Sequence, residues 1–214
     1  MSLESTARRP RSGENHGRTQ RSPRRLLGDP RAIRGLAHPI RLELLSIIGR
    51  VGRITAADAA RELGISHALT SHHLHQLRKY DFVRQVEGAD RRERPWQIMH
   101  TSISVDGIED QPGGTEALAM FEQVTAERAL EELSRWQDRR ASWSPGWREH
   151  SGAARTTVYL TEEELADLIG QFEKLLAHYT DGRPIDDVAS RPAGSKAVDM
   201  TLIVIPHGPT AAER

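Results

Sequence analysis

The 214-residue chain has no cysteine, which excludes a disulfide framework, a thiolate metal site and a cysteine nucleophile. Aromatic residues make up only 5% of it and hydrophobic residues 37%, a composition with modest core-forming capacity. No uninterrupted apolar run approaches the roughly 18 residues that a membrane span requires. A secretory signal is equally missing, because Arg8, Arg9, Arg11, Arg18, Arg21, Arg24 and Arg25 interrupt residues 1–28 throughout, and a cytoplasmic location is the default expectation. Net charge is absent too, with 30 basic residues against 30 acidic ones. The length admits one or two compact units.

The zero net charge hides an asymmetry. Residues 1–100 carry 19 Lys and Arg against 10 Asp and Glu, net +9, whereas residues 101–214 carry 11 against 20, net −9. A basic half suits a polyanion such as nucleic acid, since each neutralised phosphate releases condensed counterions. Clustering of solvated charges gives the same count, so charge alone leaves both readings open.

Residues 1–28 are rich in Arg, Ser, Gly and Pro without apolar periodicity, and read as a disordered basic tail able to slide along phosphates or enter a minor groove, or as an inert extension. Asp29 and Pro30 then cap and open a helix carrying Ile33 and Leu36. His38 and Pro39 break it and open a second, largely buried helix through Ile40, Leu44, Ile47 and Ile48, ended by Gly49 and Gly52. Thr55 with Asp58 makes a capping box for a short helix, Ala56 to Leu63, and Gly64 supplies a left-handed stop. Ser66 caps the next helix, His67 to about Tyr80, so two short helices are joined by a tight turn, the helix-turn-helix arrangement. Phe82, Val83 and Val86 read as a strand, Gly88 to Arg92 as a turn, and Trp96 and Ile98 as the returning strand. Three helices followed by a hairpin predict a winged helix: a mainly α fold with a small β-hairpin wing.

The helix at 66–80 carries the functional signal. At about 100° per residue, Thr70, Leu74 and Leu77 share the buried side, while Ala68, Leu69, Ser71, His72 and His75 lie opposite, with His67 on the flank. Small, hydrogen-bonding side chains suit an approach to base edges in a major groove, and the helix N-terminus offers free N–H groups to a phosphate. An ordinary surface helix usually displays Glu and Lys, yet residues 66–77 hold no formally charged side chain. In the wing turn, Asp90, Arg91, Arg92, Glu93 and Arg94 include three arginines able to grip phosphate or reach a minor groove. A solvated hairpin tip carries the same residues, so the wing alone is weak evidence.

The stretch Leu36-Ala37-His38-Pro39-Ile40-Arg41-Leu42-Glu43-Leu44-Leu45, followed by Ser66 and then Ser71-His72-His73-Leu74 with Leu77-Arg78, resembles the ArsR-type winged helix-turn-helix transcriptional regulators over about residues 29–100. The resemblance implies a homodimeric bacterial DNA-binding regulator, often a repressor, on an inverted-repeat operator. It places the recognition positions at His67, Ala68, Thr70, Ser71, His72 and His73; with Ser66, His75, Arg78, Arg91, Arg92 and Arg94 these make the expected DNA-binding set. Two departures stand out. Asp81 occupies a position where the family commonly has glycine, so it has to accept positive φ. The cysteine pair that metal-sensing members often use is replaced by Val51-Gly52-Arg53-Ile54-Thr55. His72 and His75 share a helical face at a spacing compatible with an ion, but that face is assigned to DNA and acidic ligands are lacking nearby, so no metal and no cofactor is expected.

Beyond the winged helix (29–105), residues 115–205 read as a helical region for dimerisation or effector binding, and 206–214 as a second disordered tail. Thr115 to about Arg140 forms one long helix with an apolar stripe, to be buried against a symmetry partner or back on the winged helix. Thr156 to Leu160 reads as a strand, Thr161 with Glu164 caps a helix through Leu165, Ile169, Phe172 and Leu176, closed by Gly182 and Pro184, and Met200 to Ile205 reads as another strand. Trp136, Trp143 and Trp147 are either core anchors or the lining of an effector pocket. Glu162, Glu163 and Glu164 complement a helix N-terminus without implying catalysis. With no phosphate loop, nucleophile elbow or metal motif, catalytic residues are not expected. The function expected is sequence-specific double-stranded DNA binding, and the alternative is a docking module recruiting a protein partner through the acidic half.

Overall fold

The computed structural model describes residues 25–88, 93–100, 103–105, 107–180, 183 and 187–208. The tail through residue 24, the wing-turn residues Asp90, Arg91 and Arg92, the helix stop at Gly182 and Pro184 and the residues from 209 on lie outside these.

Local sequence chemistry starts and stops each helix of the first hundred residues. Asp29 accepts from the Arg31 N–H at 2.9 Å and Pro30 opens α1 (Pro30–Leu36). His38 caps α2 (Pro39–Val51) through Nδ1, which accepts from the Ile40 N–H at 3.2 Å. Thr55 caps α3 (Ala56–Leu63) by accepting from the Asp58 N–H, while its hydroxyl donates to the Asp58 carboxylate at 2.7 Å. That bond, with Arg61 alongside, holds the Asp58 carboxyl below its ordinary range. Gly64 closes α3 at φ +66°, and the Ile65 N–H reaches back to the Ala60 carbonyl at 3.1 Å, the bond of a Schellman stop.

Ser66 caps α4 (His67–Lys79) by accepting from the Leu69 N–H at 3.2 Å. The same Schellman pattern ends α4: the Phe82 N–H bonds the Leu77 carbonyl and the Asp81 N–H bonds that of Arg78, both at 3.0 Å. Here the left-handed position is taken by Asp81, at φ +57°, as its place in the sequence requires. Asp tolerates this conformation at a cost that glycine avoids. Asp81→Gly is therefore expected to raise the unfolding free energy by about 0.5–1 kcal/mol, read as a higher urea midpoint; an unchanged or lower midpoint contradicts the assignment.

Strands β2 (Val83–Gln85) and β3 (Trp96–Ile98) pair antiparallel, with Val83 opposite Ile98 and Gln85 opposite Trp96. Ile54 and Trp96 exchange backbone hydrogen bonds of 3.1 and 2.7 Å, tying the α2–α3 loop to the wing. Ile33, Leu36, Leu44, Ile48, Leu74, Leu77, Phe82 and Trp96 fill one shared core. This is a winged helix-turn-helix with a helical extension.

At the edges of this domain one feature departs from the sequence reading, and one of the two alternatives it left open for the long helix is taken up within the chain. Residues 25–28, assigned to the tail, are built into the fold: β1 (Arg25–Leu27) pairs in parallel with β4 (Ile103–Val105), and Leu27 is buried. Arg25 stacks on the Phe82 ring at 4.8 Å and donates to the Tyr80 carbonyl. The long helix α5 (Gly114–Arg139) lies back on α1 and α2 of its own chain, with Ala117 buried and Leu118 and Phe121 against the core. Farther along it, Arg128 donates to Glu43 of α2 and pairs with Glu132 at 3.1 Å, a half-buried ion-pair network that also includes Arg135.

A 3-10 turn (Arg140–Ser142) and the short α6 (Pro145–Glu149) lead to α7 (Glu162–Thr180), whose capping box is reciprocal: Glu164 N–H to Thr161 Oγ1 at 3.2 Å and Thr161 N–H to Glu164 at 2.8 Å. The segments 156–160 and 200–205 are not strands. The sequence expectation of strands there is corrected: a strand exists only through hydrogen bonds to a neighbour, and among the described residues neither segment pairs with one. Val158, Tyr159, Leu202 and Ile203 consequently stand exposed.

Candidate nucleic-acid interface

Helix α4 has two contrasting sides. Thr70, His73, Leu74 and Leu77 are buried, and the spacing of these four positions confines them to one face. The opposite side presents His67, Ala68, Leu69, His72 and His75 to solvent, with Ser71 half-buried between them and Arg78 exposed at the last turn. Ser66 spends its hydroxyl on the cap, which positions the helix start. An exposed helical face this free of carboxylates matches what a major groove accepts.

Two residues of the expected DNA-binding set are on the wrong side of the helix. Thr70 is 0% exposed and donates its hydroxyl back to the Ser66 carbonyl at 3.0 Å. His73 is 5% exposed, its ring 4.5 Å from that of His38. Neither reaches a base edge; the family correspondence misplaces both, and for Thr70 the helical angle already indicated the buried side. Burial, followed by the nearby His38, Arg41 and His72, lowers the pKa of His73 to about 4. His38 is lowered by its own burial and by the same neighbours Arg41 and His72. His73 Nδ1 has no hydrogen-bond partner among the described residues.

Between α4, the start of α3 and the base of the wing lies a cleft of about 400 Å³, lined by Thr55, Ala57, His67, Ser71, His75 and Arg94 among others. The sequence reading brought Ser71, His75, His67 and Arg94 to this surface and missed the contribution of α3. Ala56 and Ala57 are first-turn residues whose N–H groups lack intrahelical partners, and with Arg94 they make this wall attractive to an anion. The signal for them was the Thr55 cap, which fixes where α3 begins. His75 is held edge-on against Trp96 at 5.4 Å, and Glu93 is the acid in the lining. Arg91 and Arg92 are among the wing residues not described.

Trp143 and Trp147 pack edge to face at 6.0 Å, and Trp136 lies under Arg140 at 4.9 Å. Among the described residues no group of three or more His, Asp or Glu is placed to hold a metal ion, and no helix is long and apolar enough to cross a membrane.

The helix pair, its tight Gly64 turn and the hairpin beside it are the parts of a DNA-reading module. Residues 36–86 match the family model of a helix-turn-helix domain. The match covers α2, α3, α4 and the first wing strand, the segment that builds the exposed α4 face. No curated protein matches the chain. The helix-turn-helix domain supports a DNA-binding regulator, with DNA as a partner, rather than an enzyme.

Proposed function

We propose that the protein is a sequence-specific transcriptional regulator of the ArsR type, a homodimeric repressor that occupies an inverted-repeat operator. The observation that supports this best is the division of α4: a face anchored in the core by Leu74 and Leu77, and an opposite face of His67, Ala68, Ser71, His72 and His75 without a carboxylate. In this reading Ser71, His72 and His75 read base edges, and Ala68 allows close approach. Arg78 and Arg94, with Arg91 and Arg92 of the wing turn and the basic tail, neutralise phosphates. Two α4 helices enter successive major grooves about 34 Å apart, and repression is steric.

Fluorescence anisotropy with DNA from upstream of the protein's own gene, against a scrambled duplex at two salt concentrations, tests it. Tight binding to the native fragment, weakening steeply with salt, is expected. Ser71→Ala/His72→Ala should cut the preference for that fragment by roughly 10- to 100-fold while leaving binding to scrambled DNA nearly unchanged. Equal preference in variant and wild type overturns the assignment of this face, and no binding to either duplex at low salt overturns the DNA reading.

A further inference from the structure

Helix α7 is a 19-residue helix with no buried residue. Leu165, Leu168, Phe172, Leu175 and Tyr179 follow one another at intervals of 3, 4, 3 and 4, the a–d repeat of a helix that pairs with an equivalent helix. Leu168, Leu175 and Tyr179 are 48, 58 and 53% exposed, and no other element among the described residues packs extensively against α7. Most of a helix's stability in a protein comes from packing its amphipathic face, so the apolar side of α7 calls for a cover. The other long helix does not supply it: among the described residues α5 makes no substantial contact with α7, and its Ala117, Leu118 and Phe121 are committed to the core.

Charge decides both the occupant and its direction. The first turn of α7 carries Glu162, Glu163 and Glu164, while its C-terminal end carries His178, followed by Arg183 over the Tyr179 ring at 5.8 Å. A parallel pair brings six carboxylates together at one end. An antiparallel pair lays each acidic first turn beside the other copy's His178 and Arg183, and it also opposes the two helix dipoles. The charge pattern is thus complementary to itself under a two-fold rotation, which is what an isologous interface demands.

We infer that α7 is a dimerisation helix whose occupant is α7 of a second copy of this chain, antiparallel, with Leu165 of each facing Leu175 of the other and Leu168 facing Phe172. The exposed apolar residues of 156–160 and 200–205, which flank α7 in the chain, add area to the same interface. This deepens the homodimer of the proposed function and rests on it, assigning the contact to the C-terminal region instead of α5.

The test uses the full chain without DNA. Sedimentation equilibrium between 1 and 100 µM should give a dimer for the wild type and a monomer for Leu168→Glu/Leu175→Glu. Both positions are exposed, so the thermal transition of the winged helix should persist. Leu130→Glu, at an exposed site on α5, should remain dimeric. A double variant that stays dimeric overturns the α7 assignment and leaves the homodimer standing; a monomeric wild type overturns both, whatever the anisotropy experiment shows. Should the charged variant misfold, Leu165→Cys/Leu175→Cys decides the matter, since the chain has no other cysteine. The two positions lie about 15 Å apart on one helix, beyond disulfide reach, and trypsin separates them at Lys174. A 165-to-175 linked peptide is expected after oxidation. Links of 165 to 165 and 175 to 175, or none at all, overturn the antiparallel pair.

Discussion

Leu74→Ala is expected to lower the unfolding free energy by about 3–4 kcal/mol. Leu74 is fully buried at the meeting point of α2, α4 and the wing, so truncation loses the transfer free energy of three carbons and leaves a cavity that helices on both sides prevent from collapsing. The counterpart is Leu69→Ala. Leu69 sits five residues earlier on the other face, 40% exposed, and its truncation should change stability by no more than about 0.5 kcal/mol. Urea unfolding of both variants reads the orientation of the helix directly. Similar losses in the two would mean that α4 is rotated from the placement described, and with it the candidate DNA-reading face. Above its lowered melting temperature Leu74→Ala should also lose DNA binding, whereas Ser71→Ala/His72→Ala should lose preference without losing stability. The two kinds of variant thereby separate holding the helix from reading with it.

Much of this geometry was legible in the residues. Asp29, Thr55, Ser66 and Thr161 each announce a helix start through a short side chain that satisfies a free N–H. Gly64 announces a stop that needs positive φ, a local signal, whereas positive φ at Asp81 was implied only by the family resemblance. The buried side of α4 followed from angle alone, and at Thr70 that angular reading held where the family correspondence did not. His73 was harder, because nothing in the His72-His73-Leu74-His75 stretch shows that one ring packs against His38 from thirty-five residues earlier. The remaining failures share one cause. Arg25–Leu27 is a strand only because Ile103–Val105 lies beside it, whereas 156–160 and 200–205, with better strand composition, pair with no strand among the described residues. Strand formation is a property of pairs, and long-range pairs are not written in either segment. The extent of α5 was similarly plain, but which surface covers its stripe depended on long-range packing of Ala117, Leu118 and Phe121 against the core.

His73 gives the fold a pH dependence of definite sign. Its pKa is about 4 in the folded protein and about 6.5 in the unfolded chain. Between those values the unfolded chain binds a proton that the folded one refuses, so stability is fully present above about pH 6.5, falls as the pH drops, and levels off below about 4. By pH 5 the loss from this group amounts to about 2 kcal/mol relative to pH 7.5, or a fall of about 1–2 M in the urea midpoint. His38 shifts in the same direction, and its protonation also removes the Nδ1 acceptor that caps α2. His73→Leu isolates one contribution from the other. Leucine fills a similar volume, removes the proton site and removes a buried Nδ1 that has no hydrogen-bond partner. The variant should match or exceed wild-type stability at pH 7.5 and lose markedly less on going to pH 5, with the residual slope belonging to His38. An equal fall in both proteins would show that His73 is not the group that titrates. Because the His73 side chain is buried away from the α4 face proposed to read DNA, the same substitution should leave sequence preference at neutral pH intact, which keeps the acid sensitivity of the fold distinct from the proposed chemistry of recognition.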